Sequence, residues 1–118
     1  LNASLNNKIH VYKTALHQFR PYLSVIDSFQ AFKFTIEKNF FKNDIFNVLT
    51  GNYTVNQIVN KIRKFKKNIS IDYVNAPIMN QLSYHVDDRK IKHQGLRIKG
   101  SIEKDIKNTL KLLQNLKT

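Results

Sequence analysis

The stretch Phe19-Arg20-Pro21-Tyr22-Leu23-Ser24-Val25-Ile26-Asp27-Ser28-Phe29-Gln30-Ala31-Phe32 changes character half-way along. Leu23 to Ile26 reads as a short strand. Asp27 then reads as a helix N-cap, with Gln30 three residues on completing a capping box. The spacing predicts a helix over about 28–39, burying Phe29, Phe32, Ile36 and Phe40 at intervals of three and four. Arg20 stands outside both patterns. It precedes the strand, beside Pro21, which fixes φ and removes a backbone donor. Tyr22 lies two residues on, on the same face of an extended chain.

Working outward, the same alternation of element types continues. Ile9, Val11 and Tyr12 predict a strand over 8–13. Asn39 and Lys42-Asn43 mark a loop. Asp44 to Leu49 is a compact apolar run that reads as a buried strand, and Thr50-Gly51-Asn52 as a turn. Thr54 with Gln57 makes a second capping box, opening a helix with Val55, Ile58, Val59, Ile62 and Phe65 on one face. Ile69, Ile71 and Tyr73 alternate with polar residues as a half-exposed strand does. Ala76-Pro77 begins a loop. Asp87 caps a short helix that stops at Gly95. Ser101 caps a last helix with Ile102, Ile106, Leu110 and Leu113 along one stripe, ended by Leu116. About four helices and several short strands give an α/β class, or α+β for the chain taken alone.

Composition sets the outer bounds. The 118 residues suit one domain with a core of its own. An apolar fraction of 42%, with five tyrosines and eight phenylalanines, argues against disorder. There is no cysteine, so thiolate chemistry and Cys-based zinc sites are excluded; a reducing compartment fits. No run approaches a membrane span and the start carries no signal-peptide pattern, which leads us to expect a cytoplasmic location. The chain begins at Leu1 rather than Met, which leads us to expect a chain that is processed, trimmed or cut from something longer.

The formal net charge of +12 is the footprint of a nucleic-acid binder. Against that reading, Asn, Lys and Ile number 14, 16 and 13, and all three share AT-rich codons. The densest basic run, Lys61 to Lys67, equally suits the solvated end of a helix, where cations complement the dipole.

Familiar catalytic arrangements are missing from the sequence. The histidines His10, His17, His85 and His93 have no metal-ligand spacing. There is no Gly-x-Ser-x-Gly elbow. Gly51, Gly95 and Gly100 make neither a dinucleotide fingerprint nor a P-loop. No tyrosine is followed four residues later by lysine. Arg20 remains: its planar fork matches a phosphate or diphosphate, and Tyr22 can stack or hydrogen-bond beside it. On chemistry alone an exposed arginine paired with a surface carboxylate is the commoner case.

An ordered set of segments then resembles one family. Arg20-Pro21-Tyr22-Leu23-Ser24-Val25-Ile26-Asp27 precedes a helix; Ile45-Phe46-Asn47-Val48 and Tyr53-Thr54-Val55-Asn56-Gln57-Ile58 follow. Val86-Asp87-Asp88-Arg89-Lys90-Ile91 with Gly95-Leu96, and Ser101-Ile102-Glu103, complete the series. Over residues 8–116 the chain is similar to the C-terminal, substrate-binding part of an extended short-chain dehydrogenase/reductase, in the NAD-dependent nucleotide-sugar epimerase/dehydratase family.

That resemblance implies a division of labour. An N-terminal Rossmann domain, not present in this chain, binds NAD or NADP and carries the catalytic Tyr-x-x-x-Lys pair. Residues 1–118 form a single substrate-binding region that binds no cofactor and is inactive alone. Arg20 contacts the diphosphate of a nucleoside diphosphate-sugar, and Tyr22 lines the nucleotide side. Asp27 stays a helix cap. Asn47 falls in a strand of the family's sheet, so residues 45–48 would carry the last strand of the absent domain. The chain departs from the pattern at Ala76-Pro77-Ile78-Met79-Asn80-Gln81, where the family commonly has a second diphosphate-binding arginine. Asn80 or Gln81 would have to substitute. The implied partners are a nucleoside diphosphate-sugar and the Rossmann domain, with a homodimer left open and no membrane. The alternative from another class is a non-catalytic basic module, binding nucleic acid through Lys61 to Lys67 and Lys90/Lys92.

Overall fold

The computed structural model describes residues 7–75 and 82–114. The expectations for residues 76–81, including Asn80 and Gln81, and for Leu116 lie outside the described residues. In chain order the elements are β1 (Lys8–Tyr12), a 3-10 turn (Lys13–Ala15), β2 (Phe19–Tyr22), α1 (Val25–Glu37), β3 (Gly51–Thr54), α2 (Val55–Phe65), β4 (Ser70–Val74), α3 (Arg89–His93) and α4 (Ile102–Gln114). The mixed α/β class is as expected.

Two two-stranded sheets organise the described residues. β1 and β4 run parallel, with Ile9 opposite Ile71 and Val11 opposite Tyr73. A parallel pair needs a long crossover, here everything between Tyr12 and Ser70. β2 and β3 run antiparallel, with Arg20 opposite Tyr53 and Pro21 opposite Asn52. Pro21 is tolerated because each strand of a two-stranded ladder is an edge. α2 packs on α4. Val11, Ala15, Leu49, Val59, Ile69, Ile91, Leu96, Ile102 and Leu110 form the buried core.

Locally encoded ends are where they were expected. Thr54 Oγ1 accepts the Gln57 N–H at 3.1 Å and Gln57 Oε1 accepts the Thr54 N–H at 2.8 Å, a complete capping box. Gly95 takes φ +103° after α3, a conformation that favours glycine. Ser101 Oγ accepts the Lys104 N–H at the start of α4. Asp87 Oδ1 accepts the Arg89 N–H at 2.8 Å, although Asp88 occupies the N-cap position.

The opening stretch is corrected in three respects. The strand is Phe19–Tyr22 rather than Leu23 to Ile26, and the helix starts at Val25. Ser24, not Asp27, is the N-cap; its Oγ accepts the Ile26 N–H at 3.3 Å. Asp27, wholly buried, turns away from its own helix end. Its Oδ1 accepts the N–H groups of Lys99 and Gly100 at 2.9 and 2.7 Å, and its Oδ2 accepts the Thr50 hydroxyl at 2.6 Å. Thr50 Oγ1 in turn accepts the Ser24 N–H at 2.7 Å. A single carboxyl therefore ties α1 to two distant segments. Gly100 must be small for this: a Cβ there would lie 2.4 Å from Asp27 Oδ2 and 2.6 Å from Ser24 Cβ.

Two further expectations fail for a common reason. Phe29, Phe32 and Ile36 were read as core, yet they are 64%, 70% and 71% exposed. Asp44 to Leu49 was read as a strand, yet no strand among the described residues pairs with it. Phe40 packs between Phe34 and Phe46, with ring centroids 5.1 and 5.0 Å away, but the outer face of α1 has nothing over it among the described residues. Thr50-Gly51-Asn52, read as a turn, instead runs into β3, where the Tyr22 carbonyl receives the Thr50 N–H and Asn52 exchanges two side-chain hydrogen bonds with the backbone of Val86.

Candidate functional site

β2 places Arg20 and Tyr22 on one short ladder. The Arg20 guanidinium donates from Nη1 to the Phe19 and Leu82 carbonyls at 2.7 and 2.9 Å, and from Nη2 to Gln18 Oε1 at 2.7 Å. It lies over the Tyr84 ring, 5.5 Å from the centroid, a cation–π arrangement. Its partners thus include three neutral oxygens and an aromatic face.

Tyr22 sits beside this cation. Burial pushes its phenol above the usual tyrosine value, and the Arg20 charge partly opposes that rise. Its ring meets Tyr53 edge-on, at 6.1 Å between centroids. The Phe19 N–H donates to Ser83 Oγ at 2.9 Å, and the Phe19 ring packs on His85 at 4.2 Å. The segment 82–85 therefore lies along β2 and brings Tyr84 to Arg20. The sequence reasoning that singled out Arg20 and Tyr22 missed Gln18, Leu82 and Tyr84. Gln18 was in reach, two residues before Arg20 and just ahead of β2; Tyr84, 64 residues away, had no sequence signal.

Several other titratable groups form ion pairs. Asp72 holds Lys8 and the His10 ring Nδ1, both at 3.1 Å. Among the described residues no three His, Cys, Asp or Glu side chains could hold a metal ion. No helix there is long and apolar enough to cross a membrane.

No family model matches the chain, and no curated protein matches it. Among solved structures it is similar to the NAD-dependent NDP-hexosamine 5,6-dehydratase TunA, involved in tunicamycin biosynthesis. The likeness has a TM-score of 0.69 at 17% identity and covers 97% of this chain. The chain shares the fold of a part of that dehydratase. It spans 38% of that neighbour's length. At this identity the likeness establishes fold and leaves chemistry to the residues.

The three glycines of this chain form no dinucleotide-binding turn. Gly51 pairs with Tyr22 in β3, Gly95 ends α3, and Gly100 packs against Asp27. None opens the strand–turn–helix that cradles a dinucleotide pyrophosphate.

Proposed function

We propose that this chain is the substrate-binding part of an NAD(P)-dependent nucleotide-sugar epimerase or dehydratase, with Arg20 and Tyr22 at the diphosphate and the cofactor held by a separate Rossmann domain. The observation that carries the reading is the fold likeness to an NDP-hexosamine dehydratase over 97% of this chain but 38% of that one. When bound, the nicotinamide cofactor would accept and return the hydride. This chain's contribution is recognition: the Arg20 fork for two phosphate oxygens, with the Tyr22 and Tyr84 rings beside it.

The exposed apolar surface supports the missing half. Val25, Phe29, Phe32 and Ile36 face outward on α1, and the unpaired run at Asp44 to Leu49 adds Ile45 at 84% exposure. Uncovered apolar faces of this extent mark an interaction surface.

The nucleic-acid alternative loses part of its basis. Lys61 and Lys64 both bind Glu103, at 2.9 and 3.0 Å, and Lys90 and Lys92 bind Asp44 and Asp88 at 2.7 and 2.8 Å. Three carboxylates thus offset part of the charge of these four cations.

Calorimetric titration with UDP-, dTDP- and GDP-sugars tests the proposal. One of them should bind, and Arg20→Ala and Arg20→Lys should each weaken it by about tenfold or more, since lysine lacks the bidentate fork. An unchanged dissociation constant in Arg20→Ala overturns the assignment.

A further inference from the structure

Most carboxylates of this chain are committed. Lys33 reaches Glu37 at 3.7 Å, Lys90 Asp44 at 2.7 Å, Lys92 Asp88 at 2.8 Å and Lys8 Asp72 at 3.1 Å; Arg89 binds Asp87, and Lys61 and Lys64 share Glu103. Asp27 is spent on backbone N–H groups. Among the described residues Lys38, Arg97 and Lys99 have no ion pair and no side-chain hydrogen bond, as is also true of the scattered Lys13, Arg63, Lys67, Lys104, Lys107 and Lys111. Lys38, Arg97 and Lys99 line one concavity of about 280 Å³ between the C-terminal half of α1 and residues 95–99, together with Lys33 and a single carboxylate, Glu37.

The convergence is built by the fold. Asp27 draws the N–H groups of Lys99 and Gly100 onto the start of α1, and Leu96 is buried, so the intervening chain runs along the helix. Arg97 and Lys99 are exposed there. The dipole at the end of α1 accounts for Lys38 alone. It does not account for two more cations delivered by a different segment. Uncompensated like charges gathered in one concavity repel one another, and a multivalent anion between them removes that repulsion.

We propose that this concavity binds an oligophosphate group, separately from the Arg20 site. Phosphate suits the mixture: Arg97 offers a fork for two oxygens, and the lysines act as movable point charges. The dimensions suit a compact, multiply charged anion better than a long strand. None of the residues lining it takes part in the contacts of Arg20 or Tyr22, so the inference does not rest on the nucleotide-sugar reading.

The test is an NMR titration of the protein with inorganic tripolyphosphate, following the backbone amides of Gly95, Arg97 and Lys99. These should shift together and saturate. The Arg97→Ala/Lys99→Ala double variant should bind at this site about tenfold more weakly. Lys104→Ala/Lys107→Ala removes the same net charge from the exposed side of α4 and should leave the affinity within about twofold, as screened distant charges do. Glu37→Gln should tighten binding by removing the carboxylate, and Arg20→Ala should leave these shifts unchanged. A short oligothymidylate at equal phosphate concentration should bind more weakly, because its phosphates carry one charge each at wider spacing. Equal losses in the two double variants, an oligothymidylate that binds as tightly, or amides that do not move would each overturn the proposal.

Discussion

Asp27→Ala should be among the most damaging single substitutions in the chain. The carboxyl is fully buried and accepts three hydrogen bonds, from the Lys99 and Gly100 N–H groups and the Thr50 hydroxyl, at 2.9, 2.7 and 2.6 Å. Alanine orphans two backbone donors, each costing about 1–3 kcal/mol when buried, while the Thr50 hydroxyl can rotate to another acceptor. The loss should be about 4 kcal/mol, a large share of the roughly 5–15 kcal/mol of a domain of this size. With an unfolding entropy of about 2.1 cal/mol/K per residue, that lowers Tm by roughly 15 °C.

Asp27→Asn separates geometry from charge. Its Oδ1 can still accept both N–H groups, and only the contact with Thr50 becomes donor against hydroxyl. No ion pair reaches Asp27 among the described residues, so removing the charge also relieves a desolvation cost. The net loss should be about 1–2 kcal/mol. Urea unfolding followed by far-UV circular dichroism gives both values, with the m-value unchanged. The reasoning is refuted if alanine costs under 1 kcal/mol, or if asparagine costs as much as alanine.

Three other outcomes follow from the same geometry. Gly100→Ala should destabilise by several kcal/mol in the same unfolding assay, because its Cβ would overlap Asp27 and Ser24 in a site that cannot give way. Asp87, held at a pKa of about 2 by the Arg89 guanidinium and N–H, should titrate nearer 4 in Arg89→Ala by carbon-detected NMR. Its folded value is depressed, so the stability it contributes is present above about pH 4 and is lost as pH falls toward 2. Tyr22 should titrate above 10, and Arg20→Ala should raise it further, since the guanidinium is the influence that lowers it. Its folded value is raised, so an unfolded chain releases this proton first and stability falls as pH rises past 10.

How far the sequence spoke depended on the range of the interaction. The Thr54–Gln57 box, the Gly95 stop and the Ser101 cap are complete within four residues, and all three were legible. Asp27 was legible as important and misread in role: its backbone partners lie 72 and 73 residues away, and nothing in the sequence distinguishes them from local ones. β3 was hidden because Gly51-Asn52 has turn composition, and only pairing with β2 makes it a strand. Phe29, Phe32 and Ile36 carry helical apolar periodicity, which says that a face is to be covered but not by which chain. The same holds for residues 44–49, whose composition calls for a ladder partner that the described residues do not contain. At the site, Arg20 and Tyr22 were singled out by their chemistry, their two-residue spacing and the family resemblance, while Tyr84 arrives through tertiary packing alone.

The central claim is that Arg20 grips a diphosphate, and its own guanidinium resonances report on it directly. With the nucleotide-sugar that binds in calorimetry, the Arg20 side-chain N–H signals should shift and exchange more slowly with water on titration. Their midpoint should match the calorimetric constant, as charge-assisted bonds to phosphate oxygens replace those to Gln18 and Leu82. Arg20 signals that stay in place while the ligand saturates the protein would contradict the account.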